Sequence, residues 1–144
     1  MKITLTKSEI NALLDAAQAA RENSYSPYSR FKVGAAVLSE DGKIFSGTNI
    51  ENASYGLTVC AERNALFAAA GAGQRRFKAL ALITQKLPGV KFNAPCGACR
   101  QVMSEFFSPN TPVYIAVLDG KKRTVYTKKF KDLLPFPFDK FTEK

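Results

Sequence analysis

Two strand-like segments late in the chain, Val113 to Leu118 and Lys121 to Thr127, are separated by Asp119-Gly120 alone. A connection that short forces them antiparallel, because a parallel pair needs a crossover of about a dozen residues or more. This constrains the fold more than any other single feature. Upstream, Asp41-Gly42 marks a second hairpin between residues 31–38 and 43–49. Phe77 to Thr84 is a nearly unbroken apolar run, as expected of a central strand buried on both faces. Thr6-Lys7-Ser8-Glu9 reads as a capping box, and Ile10, Leu13, Leu14, Ala17 and Ala20 then recur at helical spacing, which predicts a helix over 7–22. Tyr25-Ser26-Pro27-Tyr28 follows its end, and residues 50–58 read as a polar loop. Residues 60–70 predict an alanine-rich helix capped by Gly71, and Pro95 opens a third through Phe107, stopped by Pro109 and Pro112. A short last helix is expected near 129–134. The expected fold is α/β, a three-layer α/β/α sandwich on a five-stranded mixed sheet whose last two strands are antiparallel.

The 144 residues are 46% apolar, enough for one domain over 1–144 with a real core, and no linker or repeat divides them. The richest apolar run, Ala65 to Ala70, is far shorter than a membrane span, and MKITLTKSEI carries no secretory core, so a cytoplasmic protein without a membrane partner is expected. The net charge of +9 gathers in Arg75-Arg76-Phe77-Lys78, Lys121-Lys122-Arg123 and Lys128-Lys129-Phe130-Lys131. Placed on turns and strand ends, these runs read as solvated surface, and nucleic acid is not the expected partner.

The chain has no histidine. That excludes Ser-His-Asp and Cys-His catalysis, imidazole acid–base chemistry and histidine metal ligands. All three cysteines fall where helices are predicted to begin, in Cys60-Ala61-Glu62 and Pro95-Cys96-Gly97-Ala98-Cys99. Cys96 and Cys99 share a helix face, and the positive end of a helix favours thiolate over thiol. If the two helix starts face each other, Cys60, Cys96 and Cys99 converge on one zinc ion with a fourth position left for water. Glu62, at the first turn, can reach that position without ligating the metal and serve as the proton shuttle. Three thiolates leave the zinc complex with net charge −1; Arg63 or Arg100 can offset this by donating to a thiolate, with Arg63 the better placed.

Cys60-Ala61-Glu62 with Pro95-Cys96-Gly97-Ala98-Cys99 resembles the zinc-dependent nucleoside and nucleobase deaminases. The similarity extends over nearly the whole chain through Tyr25-Ser26-Pro27-Tyr28-Ser29, Phe31, Val33-Gly34, Asn49-Ile50-Glu51-Asn52-Ala53-Ser54-Tyr55, Cys60-Ala61-Glu62-Arg63-Asn64 and Arg100-Gln101. Together these residues resemble the small, homotetrameric type of cytidine deaminase, whose zinc is held by three cysteines. The resemblance implies hydrolytic deamination of cytidine and 2′-deoxycytidine in pyrimidine salvage. Water activated at one zinc per chain attacks C4, and Glu62 protonates N3 and then the departing ammonia. It also implies that Asn49 and Glu51 bind the ribose 3′-hydroxyl, that Phe31 packs on the pyrimidine, and that the Ala61 amide holds the base carbonyl. Arg63 and Gln101 support the site. Tyr55 and a tail phenylalanine, Phe138 with Phe136 as its rival, reach a neighbouring subunit's pocket. Residues 85–94 and the high positive charge depart from the family's usual pattern.

Three rival readings are weaker. A blasticidin-type antibiotic deaminase shares the zinc motifs, but the segment 49–55 serves a ribose. A polynucleotide-editing deaminase would suit the basic runs, yet the Asp119-Gly120 connection opposes the parallel final strands of that class. A non-catalytic zinc-stabilised binding module needs a fourth protein ligand, and only Glu62 is available.

Overall fold

A computed structural model describes residues 4–141, so the two ends of the expected 1–144 unit lie outside the described residues. In chain order the elements are α1 (Lys7–Arg21), β1 (Gly34–Ser39), β2 (Ile44–Thr48), α2 (Ala61–Gly71), β3 (Phe77–Gln85), α3 (Gly97–Ser104), β4 (Pro112–Asp119), β5 (Lys122–Lys129) and α4 (Phe130–Leu133). The capping box starts α1 as expected: the Glu9 amide donates to Thr6 Oγ1 at 3.1 Å and the Thr6 amide to the Glu9 carboxylate at 2.8 Å.

The five strands form one mixed sheet in the order β2-β1-β3-β4-β5. Only β3 and β4 pair in parallel, and β4 and β5 are antiparallel. Alternation along the strands builds two cores. Ala36, Leu38, Ala81, Ile83, Tyr114 and Ala116 pack on Leu13, Leu14 and Ala17 of α1. Ala35, Val37, Leu80, Leu82, Val113 and Ile115 pack on α2, α3 and α4 through Ala65, Leu66, Met103 and Phe130. A register shift at Leu38/Ser39 turns Phe77 onto this second face. The result is the expected three-layer sandwich.

Connectivity decides where chemistry can gather. Because β2 and β3 are each antiparallel to β1, they run parallel to each other. Each feeds a helix on the same face, so the first turns of α2 and α3 emerge together beyond the strands' carboxyl ends, where open α/β sheets bind ligands. Gly47 lets α2 lie directly on β2: a Cβ there would stand 2.5 Å from the Ala65 nitrogen and 2.8 Å from the Ala61 carbonyl oxygen. Asn64 fixes the same contact by donating from Nδ2 to the Thr48 carbonyl at 2.8 Å.

Several boundaries differ from expectation for identifiable reasons. The last hairpin turns through Gly120 and Lys121, with Asp119 paired to Lys122. Gly120 has φ +60°, as the first central position of a type II′ turn requires, so the two-residue connection sits one residue later than Asp119-Gly120. In the first hairpin the Ser39 amide donates to the Lys43 carbonyl, leaving the three-residue loop 40–42. Strand β1 begins at Gly34 because the Asn49 side chain takes the place of a ladder partner beside residues 31–33. Gly71 ends α2 within the helix, and Ala72 is the cap. Helix α3 is shorter than 95–107, with Cys96 as its N-cap and Glu105 as its C-cap. Pairing of β5 continues to Lys129, since an exposed edge strand tolerates the lysines that ended the expected strand at 127, and α4 is confined to Phe130–Leu133. The loop 50–58 holds a single 3-10 turn at Tyr55–Leu57, and Ile50 bridges Val59.

Candidate active site

Cys60 and Cys96 occupy equivalent positions. Each is the extended N-cap of its helix, with ψ 156° and 167°, and neither makes a side-chain capping hydrogen bond. An N-cap side chain faces the third helical residue. Opposite Cys96 that residue is Cys99, with the sulfurs 3.6 Å apart; opposite Cys60 it is Arg63, whose Nη2 donates to Sγ at 3.4 Å. The adjoining helix starts bring the Cys60 and Cys96 sulfurs to 3.8 Å, and all three sulfurs lie within 4.8 Å of one another. Tetrahedral zinc with Zn–S bonds of about 2.3 Å needs sulfurs about 3.8 Å apart. The donor set and its spacing therefore fit zinc. Cys96 is exposed and Cys99 buried, so the group opens on one side only.

Glu62, 4% exposed, is the only buried carboxylate among the described residues. Its Oε2 lies 3.7 Å from the Cys99 sulfur, and burial pushes its carboxyl up to about 7. The hydrogen bond from Cys99, reinforced by Arg63, pulls the Cys60 thiol down to about 5. The same bond, with burial, pushes Cys99 up. Of the two arginines, Arg63 touches a sulfur. Arg100 turns away to the carbonyls of Pro95 (2.7 Å) and Leu133 (3.0 Å), fixing the start of α3 to the tail.

Asn49 and Glu51 leave the end of β2 in extended backbone, braced by Tyr25 on one side and, through Ile50, by Val59 on the other. Both side chains point to residues 24–33. Asn49, 8% exposed, donates to the Phe31 carbonyl at 2.8 Å and accepts from the Val33 amide at 3.0 Å and the Ser24 hydroxyl at 2.5 Å. One hydrogen of its amide group is thus left for another acceptor. Glu51 accepts from the amides of Tyr28 (3.0 Å) and Ser29 (3.1 Å) and from the Ser29 hydroxyl. The hydroxyl holds its carboxyl below the usual carboxylate range. Sequence reasoning gives no role to Ser29, although it ends the motif Tyr25-Ser26-Pro27-Tyr28-Ser29, and passes over Ser24; two small hydroxyls flanking Tyr25 to Tyr28 are the available signal.

Phe31 is half-buried beside this loop, and Ala61 is the first residue of α2. Tyr55 is 77% exposed, its ring 6.0 Å from that of Tyr28. Phe138 is 69% exposed and Phe136 93%; the Phe138 carbonyl accepts from Gln101 Nε2 at 2.7 Å. Gln101 therefore ties α3 to the tail, its other hydrogen bond going to the Ser104 hydroxyl. Among the described residues no helix is long and apolar enough to cross a membrane.

Comparison with known proteins gives the family and the fold. Residues 7–115 match the cytidine and deoxycytidylate deaminase zinc-binding region. The cytidine deaminase of Sporosarcina psychrophila is 46% identical over 132 residues, covering 92% of this chain and 93% of that protein. That of Halalkalibacterium halodurans is 48% identical over 126 residues, covering 88% and 91%. The crystal structure of cytidine deaminase from Burkholderia pseudomallei superposes with a TM-score of 0.81 at 48% identity, over 93% of this chain and all of that one. Three cysteines grouped at paired helix starts, on a sheet shared with these proteins, make this chain an enzyme belonging to the cytidine and deoxycytidylate deaminase family.

Proposed function

We propose that the chain holds one zinc ion through Cys60, Cys96 and Cys99 and converts cytidine and 2′-deoxycytidine, with water, to uridine and 2′-deoxyuridine plus ammonia, as in pyrimidine salvage. The observation that carries the reading is the buried Glu62 carboxylate 3.7 Å from the Cys99 sulfur, beside a group of three cysteine sulfurs that all lie within 4.8 Å of one another. A bound zinc ion supplies Lewis-acid activation of a water in its fourth position. Glu62 would take one proton from the attacking water and deliver it to N3 as the oxygen adds to C4. It would then carry that water's second proton from the new C4 hydroxyl to the amino group, so that the C4–N bond breaks, the carbonyl forms and ammonia leaves. A buried carboxyl suits both directions of transfer. Arg63 offsets the surplus negative charge of the thiolates through Cys60.

Positioning falls to the neighbouring elements. The Ala61 amide, at the positive end of α2, is set to hold the base carbonyl. The free amide hydrogen of Asn49 and the Glu51 carboxylate meet the 3′-hydroxyl, and Phe31 forms a wall for the ring. The exposed Tyr55 and Phe138 side chains support a homotetramer in which each completes a neighbour's pocket. Gln101 sets the course of the tail toward that neighbour. This reading includes a cytoplasmic setting, in keeping with three cysteines that form no disulfide.

The test is ammonia release measured in parallel from cytidine, deoxycytidine, cytosine, blasticidin S and single-stranded DNA. Turnover confined to the two nucleosides is expected; preference for blasticidin S or DNA would displace this reading.

A further inference from the structure

Lysines that the reaction does not use converge on one groove. Between β3 and the cysteine motif, Leu87-Pro88-Gly89-Val90 forms a tight turn: Leu87 and Val90 bridge, and the Val90 amide donates to the Leu87 carbonyl at 3.2 Å. Proline at the second position and Gly89 at φ +72° at the third fit a type II turn. The Lys86 amide donates to the Leu118 carbonyl at 2.8 Å, which fastens the turn to the end of β4. This rigid hook carries Lys86 and Lys91 to the β4–β5 hairpin.

On β5, Lys122, Thr124, Tyr126 and Lys128 alternate and share a face. Phe92 packs on Tyr126 with ring centroids 4.9 Å apart. Lys91 Nζ lies 5.3 Å from the Tyr126 ring centroid and Lys128 Nζ 5.6 Å from that of Phe92, so each ring steadies an ammonium group. Between hook and hairpin is a cavity of about 190 Å³ lined by Lys86, Lys91, Lys122, Asp119, Thr124 and Tyr126, among others. Three ammonium groups against the single Asp119 carboxylate leave two positive charges there. Asp119 stands 3.2 Å from Lys86 Nζ and steadies it. Protection of an edge strand accounts for Lys122 and Lys128 on β5. It does not account for Lys86 and Lys91 arriving from another segment at the same groove.

We propose that this groove binds a phosphate group, free or carried by a small phosphorylated molecule, at a site separate from the cysteine cluster. A phosphate ester near neutral pH carries about −1.5 to −2 charges, which matches the groove, and the Thr124 hydroxyl adds a donor. The site gives residues 85–94 and part of the +9 charge a common purpose.

The test titrates the full-length protein at fixed ionic strength with inorganic phosphate, ribose 5-phosphate and a single-stranded oligonucleotide, read by calorimetry and NMR shifts. Inorganic phosphate and ribose 5-phosphate are expected to bind at a single site per chain; the stronger of the two identifies the source. Replacing Lys91 and Lys122 together by alanine should weaken binding about tenfold. Asp119→Asn, which keeps an acceptable hairpin residue, should tighten it several-fold. Thermal midpoint and cytidine turnover should stay as in the unmodified chain. Phosphate binding unmoved by either change, or matched by chloride, would overturn the proposal. So would an oligonucleotide bound far more tightly per phosphate, which would mark a polynucleotide surface instead.

Discussion

Two groups of polar side chains sit at the same end of the sheet and are built on opposite principles. In the cysteine cluster the side chains of Cys60, Glu62, Cys96 and Cys99 face one another and brace no loop. In the segment that follows β2, Asn49 and Glu51 hold residues 24–33 through six hydrogen bonds among them. A change in the first group bears on the chemistry before any loop, although Cys99 is also part of the core. The second group allows no such separation, because each residue proposed to bind the sugar also shapes the wall beside it. Chemistry and architecture are separated in one region and fused in the other.

The largest expected effect breaks the first region. Stripping metal with a chelator, or replacing Cys99 by serine, should abolish deamination, and added zinc should restore the chelated protein but not the variant; a steady-state assay with metal analysis decides this. Next, Asn49→Ala should lose activity and also about 2 kcal/mol of stability, since the part-buried Phe31 carbonyl and Val33 amide lose their side-chain partner and the Ser24 hydroxyl keeps only Ser26. Denaturant unfolding that shows no loss would break the contrast between the regions. Phe138→Ala should raise the KM for cytidine several-fold while the described fold, including the Gln101 bond to the 138 carbonyl, persists; sedimentation analysis of the same sample reports whether assembly changed.

The smallest effect comes from a carboxylate outside both regions. The Ser39 hydroxyl, donating to Asp41, holds its carboxyl below the usual carboxylate range, at about 2. A depressed folded-state pKa contributes stability above the unfolded value and loses it as pH falls through the folded one. Asp41→Asn should therefore flatten the fall in thermal midpoint between about pH 4 and pH 2, and leave turnover untouched.

Reading the sequence reached the first region more completely than the second. Cysteines and a glutamate at helix starts have few other uses, so their residue types alone announced convergence. Four of the six hydrogen bonds of Asn49 and Glu51 to the 24–33 loop go to backbone groups, which carry no residue signature; the other two come from the Ser24 and Ser29 hydroxyls. Turn position was similarly hidden: Asp119-Gly120 announced a tight connection, but only the sign of φ at Gly120 places the turn on Gly120-Lys121. The sheet order β2-β1-β3-β4-β5 was not legible either, because the apolar pattern of β3 says that it is central without naming its neighbours. Arg100 shows the converse, since spacing offered it to a thiolate and the carbonyls of Pro95 and Leu133 took it.

The central claim is that Glu62 moves protons beside a three-cysteine zinc site and is not itself a ligand. Zinc content and cytidine turnover of Glu62→Gln, measured on one purified sample, test it most directly. The account predicts one zinc per chain, an unreduced thermal midpoint, and turnover lower by roughly 10³-fold or more. Loss of zinc along with the carboxylate, or turnover retained at the level of the unmodified chain, would contradict it.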